Sequence, residues 1–160
     1  MQLLEVPVSF QLWILLDVVI AAILGGILGY EREQKQKPAG FRTNMFIAGG
    51  AALLLSLGRF IANSMELELD PQAIGVDPTR IIHAIIVGVS FIGAGTILKS
   101  SRKDTVRYLT TAAMILFSAG AGISVALKLY VVAVGVTAIG LIINTLIHRL
   151  YQNNPLEDHG

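Results

Sequence analysis

The sequence predicts an all-α polytopic membrane protein with about five transmembrane helices, and three observations support that fold class. Of the 160 residues, 54% are hydrophobic and only 14% are charged, whereas about 25% are charged in an ordinary soluble domain. Five apolar segments are each long enough for a helix to cross a hydrocarbon core of about 30 Å. The Lys and Arg residues gather in alternate connections between these segments. A soluble domain could not cover its surface with so few charges.

The five predicted helices follow one another with short connections. They cover residues 8–30, 43–63, 79–98, 106–127 and 129–151. Only Lys128 and Tyr130 interrupt the apolar run of the last two, but a single helix of about 45 residues would far exceed the membrane thickness, so we predict a helical hairpin. The first segment lacks a basic n-region, which predicts a retained helix. We expect one transmembrane domain over 1–151 and a short polar tail over 152–160.

The distribution of positive charge predicts the orientation. Nine of the twelve Lys and Arg residues lie after helix 1, after helix 3 or at the C-terminus. The connection between helices 2 and 3 carries four acidic residues instead: Glu66, Glu68, Asp70 and Asp77. Because short loops rich in Lys and Arg stay in the cytoplasm, we predict an outer N-terminus and an inner C-terminus. The alternating acids do not have the spacing of a known Ca²⁺ loop, so whether any metal binds stays unknown.

Asp17 lies deep in the first predicted helix. A charged carboxylate at that depth costs several kcal/mol unless it is paired, hydrated or protonated. One interpretation is an ion or proton ligand that faces a polar cavity. The other is an outer-end residue that reaches the headgroups, and the sequence leaves both open.

The end of the first helix combines small and charged residues. Gly25 and Gly29 are four residues apart, which places both on one face and favours close helix packing. Glu31, Arg32 and Glu33 follow at the inner interface and are candidates for a polar pathway. The alternative is a plain interfacial charge cluster, which costs little at that depth.

The turn into the second helix, residues 38–44, contains Arg42, Thr43 and Asn44. We expect Thr43 or Asn44 to cap the helix, because both side chains can accept a hydrogen bond from a free N–H group. A helix N-terminus beside Arg42 could hold an anion such as a phosphate or a headgroup. Alternatively, Arg42 extends to the inner surface without a ligand.

Helix 3 has the pattern of a central packing helix beside a site. Asp77 precedes Pro78, which is a strong helix-start signal, and Arg80 adds a second charge at that end. Its apolar run contains three glycines that favour close approach of another helix or a ligand: Gly88, Gly93 and Gly95.

The last two helices offer fewer polar groups. Thr110 and Thr111 could present hydroxyl oxygens to a polar pathway, and Asn144 lies deep in helix 5, where an amide needs a partner across a helix interface. The chain has no cysteine, and it contains no Ser/His/Asp set, P-loop or dinucleotide fingerprint. We therefore expect no enzyme activity and no resident cofactor. The net charge of +1 predicts no nucleic-acid partner.

Four blocks of the sequence together resemble the MgtC/SapB family of bacterial inner-membrane proteins. They are GGILGYERE at 25–33, AGFRTN at 39–44, DPTRIIHAIIVGVSFIGAGTIL at 77–98 and VRYLTTAA at 106–113. The chain resembles the short SapB-like form, without a C-terminal soluble domain. The chain departs from the family pattern at five positions. Asn44 stands where many members have His, and Tyr108 where Gly is usual. Ala84, Leu116 and Ser90 replace a frequent Gln, Trp and Gly.

The resemblance implies a multi-pass inner-membrane protein linked to growth at low magnesium and to survival inside host cells. Some members are reported to act by binding the membrane sector of the ATP synthase. Two hypotheses follow. The first is a small cation transporter, for Mg²⁺ or H⁺, that works as an oligomer in the membrane lipid, with a homodimer as the natural form. The second is a regulatory protein that binds another membrane complex, such as the ATP synthase, through its glycine-rich helix faces.

Overall fold

The computed structural model describes residues 6–68, 78–98 and 108–153. Within these residues the chain forms five helices and no strand: α1 (Val8–Gln34), α2 (Phe41–Glu68), α3 (Pro78–Leu98), α4 (Leu109–Ala126) and α5 (Tyr130–Asn153). The all-α fold class is confirmed. Four helices, α1 to α4, are long and apolar enough to cross a membrane, and α5 contributes a shorter apolar stretch over Tyr130–Thr145.

The connection between α1 and α2 is tighter than the sequence predicted. Helix α1 continues past residue 30 because Glu31 and Lys35 form an ion pair one turn apart on its surface. The prediction that Thr43 or Asn44 caps α2 is wrong. Helix α2 begins at Phe41, whose backbone N–H donates to the Glu33 carboxylate at 2.8 Å. An acidic side chain at a helix N-terminus also interacts favourably with the helix dipole.

Helices α4 and α5 form the predicted hairpin. Three residues connect them, and Lys128 adopts the left-handed conformation with φ of 62°. The N–H groups of Lys128 and Leu129 donate to the carbonyls of Val125 and Ser124 at 2.8 and 2.9 Å. These bonds satisfy carbonyl groups that the end of α4 would otherwise leave free.

The residue before α4, Tyr108, has a backbone conformation that accounts for the glycine usual at this position in the family. Tyr108 has φ of 68° and ψ of 19°, which is the left-handed region. Glycine adopts this region freely, whereas the conformation costs another residue about 1 kcal/mol. The usual glycine at this position therefore matches a conformational need, which the chain meets here with a tyrosine.

Side-chain contacts give the relative directions of the helices. Phe10 stacks on Phe60 with ring centroids 5.5 Å apart, so the start of α1 lies beside the far part of α2. Asp17 bonds Tyr130, and Glu31 bonds Asn144. Since both pairs are 113 residues apart, α1 and α5 run parallel. We call the two ends of the bundle the Asp17 end and the Glu31 end.

Helix α4, and not α3, occupies the centre of the bundle, which corrects the expectation from the sequence. In the most apolar window of each helix, 56% of the residues are buried in α4 but only 11% in α3. One face of α4 is built from small side chains, including Ser118, Ala119 and Gly122, and these are all buried. A Cβ atom placed on Gly122 would lie 2.8 Å from the carbonyl carbon of Ala48. Small residues therefore bring α4 against α2 at close range.

Candidate functional site

Asp17 is the most informative polar residue of the bundle. Its side chain lies on the inward face of α1, and the residue is only 2% exposed. It accepts a hydrogen bond and ion pair from the Lys128 ammonium group and a hydrogen bond from the Tyr130 hydroxyl at 3.1 Å. Lys128 comes from the turn between α4 and α5, and Tyr130 is the first residue of α5. The buried carboxylate is therefore paired, which offsets the cost of its burial.

A cavity of about 860 Å³ lies against this pair. Its wall is mostly apolar and comes from the start of α1, the far part of α2 and the α4–α5 turn. Its lining residues are Val6, Pro7, Phe10, Trp13, Ile14, Asp17, Ser56, Arg59, Phe60, Asn63, Ser64, Ala126, Lys128 and Tyr130. Asp17 thus lines a cavity, but the wall is mostly apolar and not the polar cavity of the first interpretation, whose ion or proton ligand stays a prediction.

Two cations and one anion line this cavity. The Arg59 guanidinium donates from Nη1 to the Ala126 carbonyl at 3.1 Å. Lys128 Nζ also lies 5.9 Å from the centroid of the Trp13 ring, within range of a cation–π interaction.

The Lys128 pKa is raised above its ordinary value. Partial burial by itself lowers the pKa, but the hydrogen bond and Coulombic attraction to Asp17 raise it by more, and Tyr130 adds to the increase. The Lys128 side chain is 49% exposed. The ammonium group is therefore charged at neutral pH. Because half of the side chain is exposed, it can leave Asp17 without crossing the packed interior.

Sequence reasoning found Asp17 but missed its partners. Lys128 appeared there only as an interruption between two apolar runs, and Tyr130 as its neighbour. The usable signal was the charge itself, because a carboxylate at depth in α1 requires a cation and few cations lie at that end of the bundle.

At the Glu31 end, charged and amide groups form a second polar cluster. The Glu31 carboxylate accepts hydrogen bonds from Asn144 of α5 and Lys35 of α1. Asn144 thus has the partner across a helix interface that its depth requires. Glu33 lies on a different side of α1 and holds the start of α2 through Phe41.

Asn44 is a fully buried link between three elements. Its Nδ2 donates to the carbonyls of Ala39 and Gly40 at 2.6 and 2.9 Å. Its Oδ1 accepts from the Ser118 hydroxyl at 2.7 Å. These bonds tie α2 to the α1–α2 connection and to α4. Sequence reasoning treated Asn44 as a possible cap and missed this role.

Arg32 differs from its neighbours because two of its buried donor atoms have no hydrogen-bond partner. The residue is 5% exposed, and its Nε and Nη2 atoms have no hydrogen-bond partner. It lies next to Glu31 and Glu33 in sequence, but those carboxylates bond other groups.

A close-packed layer separates the two polar ends. Asp17 and Glu31 are fourteen residues apart on α1, which corresponds to about 21 Å along the helix. Between them, a Cβ atom on Gly25 would lie 2.7 Å from the Ala48 Cβ atom, and Ala21 is fully buried. The described residues therefore leave no room for water at the α1–α2 contact in this layer.

The remaining predicted residues are spread over the molecule. Arg42 and Thr43 line a small cavity with Glu33, and both are exposed, as are Arg80 and Thr110. Thr111 is buried in α4. Asp77 lies outside the described residues.

The predicted packing glycines divide into two groups. A Cβ atom on Gly29 would lie 2.6 Å from the Gly40 carbonyl oxygen, and one on Gly93 would lie 3.4 Å from Ala112. Gly25 and Gly29 thus pack α1 on α2, and Gly93 packs α3 on α4. Gly88 and Gly95 have open space at the same position. Their role as interface residues stays a prediction about a surface outside this chain.

No group of three or more His, Cys, Asp or Glu side chains suited to a metal ion occurs in the described part of the chain. The polar groups are instead distributed between the two ends. A cation that visits Asp17 would find one carboxylate and one hydroxyl there, with water to complete its ligands.

Comparison with known proteins identifies the family. A family model described as the MgtC family matches residues 18–153. The chain belongs to the MgtC family. The match begins one residue after Asp17 and ends at the last residue of α5, so it covers nearly the whole bundle. No solved structure matches the chain.

Curated members of the MgtC family align with most of this chain. "Putative magnesium transporter YhiD" of Escherichia coli K12 is 33% identical over 85% of the chain and 61% of the relative. Protein MgtC of Salmonella typhimurium is 36% identical over 86% of the chain and 54% of the relative. Protein SapB of Bacillus subtilis is 39% identical over 73% of the chain and 49% of the relative. The chain thus spans about half to three fifths of the length of these relatives.

Proposed function

We propose that the chain is a small cation transporter of the bacterial inner membrane, linked to magnesium homeostasis, with Mg²⁺ or H⁺ as the transported ion. The observation that carries the proposal is the state of Asp17. It is a buried carboxylate in a membrane-spanning helix, it lines a cavity, and a half-exposed lysine neutralises it. Intramembrane ionisable groups of this kind mark ion and proton pathways. The magnesium context is supported by the name of the YhiD relative.

In this proposal, Lys128 is a displaceable internal cation. A proton that reaches Asp17 neutralises the carboxylate and removes the attraction that holds Lys128. A Mg²⁺ ion replaces Lys128 directly and takes oxygen ligands from the Asp17 carboxylate, the Tyr130 hydroxyl and water. Either event frees the ammonium group to turn toward the cavity. Protonation leaves Asp17 neutral, whereas a bound Mg²⁺ leaves one net positive charge beside it.

Passage to the Glu31 end requires the close-packed layer to open. The polar groups at that end would then receive the ion, with the Glu31 and Glu33 carboxylates as its first acceptors. We propose that the Asp17 end faces outward and the Glu31 end faces the cytoplasm, since the Lys and Arg residues of the chain favour that orientation. The transporter works without a resident cofactor and without enzymatic catalysis.

The competition between Lys128 and a cation can be measured by amine labelling. An ammonium group paired with a carboxylate reacts slowly with an acylating reagent, because only the neutral amine is nucleophilic. Addition of millimolar Mg²⁺ to the purified chain should raise the labelling of Lys128 relative to that of exposed Lys37. Asp17→Asn should give high Lys128 labelling with or without Mg²⁺. If the labelling of Lys128 relative to Lys37 changes neither with Mg²⁺ nor in the Asp17→Asn variant, the exchange is refuted.

A second candidate function is regulation of another membrane complex, and the outer face of α3 favours it. Phe91 is 80% exposed and Val87 is 69% exposed, while Gly88 and Gly95 have open space beside them. A small-residue face flanked by large apolar side chains suits helix docking in a membrane. The occupant would be the membrane sector of the ATP synthase, as the family resemblance implies, or a second copy in a homodimer.

Substitution on this face tests docking without disturbing the bundle. A Cβ atom on Gly88 would meet no atom within 4 Å, so we expect Gly88→Leu to insert and fold. It should nevertheless lose co-purification of the ATP synthase membrane sector, or lose the dimer mass in native mass spectrometry. The matched control is Gly50→Leu on α2, which also has open space. Equal partner and dimer recovery for both variants would remove the second candidate.

A further inference from the structure

Arg32 is the one buried ionic group among the described residues that the bundle leaves unsatisfied. It lies near the end of α1, is 5% exposed, and has no hydrogen-bond partner at Nε or Nη2. Burial of a charged, unpaired guanidinium is costly. A stable protein therefore needs an acceptor for these two N–H groups, and the described chain does not supply it.

The neighbouring carboxylates are committed to other partners. Glu31 bonds Asn144 and Lys35, and Glu33 bonds the backbone N–H of Phe41. Both contacts have structural purposes, since one joins α1 to α5 and the other starts α2. Neither carboxylate accepts a hydrogen bond from Nε or Nη2 of Arg32.

The two unpartnered atoms define the shape of the missing acceptor. The Nε and Nη2 hydrogens of an arginine point in the same direction and form a fork that matches two oxygens of a phosphate or carboxylate group. Lysine could not offer this pair. An acceptor with two oxygens, carrying negative charge, would satisfy both atoms at once.

We infer that Arg32 binds a phosphate group from outside the chain through its Nε and Nη2 atoms. Its position favours phosphate. Arg32 is fifteen residues after Asp17, about 22 Å along α1, and lies in the last turn of that helix. Because α1 has 27 residues, or about 40 Å, it is longer than a hydrocarbon core of about 30 Å, which favours a last turn near the lipid headgroups. The phosphate belongs to an anionic lipid headgroup or to a soluble phosphate.

Thermal unfolding of the purified full chain in an uncharged detergent tests this site. We expect phosphatidylglycerol to raise the unfolding temperature by about 2–6 °C, as a ligand that binds only the folded state should. Inorganic phosphate, compared with chloride at equal ionic strength, distinguishes the soluble source. A shift with phosphatidylglycerol alone assigns the lipid headgroup, and an equal shift with phosphate assigns the free anion.

Three variants make the result specific. Arg32→Met should unfold at the same or a higher temperature without phosphate, because it removes an uncompensated charge, and it should lose the shift. Arg32→Lys keeps the charge but lacks the fork, so it should also lose most of the shift. Lys37→Met removes an exposed cation at the same end and should keep the shift. If Arg32→Met does not fold, two other measurements test the site. They are the shift of Arg32→Lys and native mass spectrometry of lipid bound to the wild-type chain.

Three results would overturn the inference. One is a wild-type protein that shows no shift with any phosphate compound. The second is an Arg32→Lys protein whose shift and bound lipid equal those of the wild type. The third is a dimer that forms without phosphate and is lost when Arg32 is changed, because the acceptor would then come from a second copy of the chain.

Discussion

At the scale of single residues, the two ends of the bundle handle buried charge in opposite ways. Asp17 accepts hydrogen bonds from two residues that are close in sequence, Lys128 and Tyr130. Arg32 has no hydrogen-bond partner at Nε or Nη2. A carboxylate that already has donors can exchange one of them for another cation. Buried donor atoms without an acceptor need a group that accepts their hydrogen bonds. This difference underlies the assignment of a cation to the first and a phosphate group to the second.

The first prediction concerns the pair of Asp17 and Lys128. Lys128→Met leaves the buried carboxylate without its cation and should destabilise the fold by about 1–3 kcal/mol, which is below the value for a fully buried pair because Lys128 is half exposed. The double variant Asp17→Asn with Lys128→Met should recover most of that loss. A double-mutant cycle on unfolding free energies measures the coupling. Additive losses would contradict the pairing.

The second prediction concerns pH. The pKa of Lys128 is raised by Asp17, so the folded value lies above the unfolded value of about 10.4. The stabilisation is then fully present below pH about 10.4 and is lost as the pH rises through the folded value. The contribution of this pair to thermal stability should therefore be constant between pH about 6 and 9, and it should fall as the pH rises through the folded pKa. Lys128→Met should lack that alkaline loss, and an identical pH profile would count against the assignment.

Some of this chemistry can be predicted from sequence, and some cannot. Asp17 stands out because a carboxylate inside an apolar run is expensive wherever the chain folds. Its partner is 111 residues away, and only the register between α1 and α5 brings them together. Asn44 shows the same limit, because its bond to Ser118 crosses from α2 to α4.

At the scale of the helices, small residues determine which pairs pack closely. Helix α1 meets α2 through Gly25 and Gly29, and α4 meets α2 through Gly122. The apolar lengths predicted the five helices well, because segment length and membrane thickness are linked. They did not show which helix is central, because α3 and α4 both carry several glycines, and only the partner surfaces decide how much of each is covered.

The third prediction compares two glycines. Gly25→Ala would place a Cβ atom 2.7 Å from that of Ala48 and 2.9 Å from the Asn44 carbonyl carbon. The α1–α2 contact must therefore widen, at a cost of about 1–3 kcal/mol. Gly88→Ala adds its Cβ atom to open space and should be neutral or slightly stabilising within the chain. Unfolding by a graded denaturing detergent measures both, and equal stability of the two variants would be inconsistent with this packing.

At the scale of the whole molecule, the bundle has a polar cluster at each end and a close-packed layer between them. The parallel course of α1 and α5 places the N-terminus of α1 and the C-terminus of α5 at opposite ends. The Asp17 end has the cavity, and the Glu31 end has the buried arginine. A protein with this arrangement moves ions only if the layer opens, which makes transport a demanding claim and a testable one.

Ion flux into proteoliposomes tests the central claim most directly. Vesicles with the wild-type chain should take up Mg²⁺ or H⁺ faster than empty vesicles, as followed by a trapped indicator of each ion. Asp17→Asn should slow this uptake by about tenfold or more, the equivalent of about 1.4 kcal/mol. Glu157→Gln, the same chemical change in the C-terminal tail, should leave it unchanged. Uptake of neither ion by the wild type, or equal uptake by Asp17→Asn, would contradict the account.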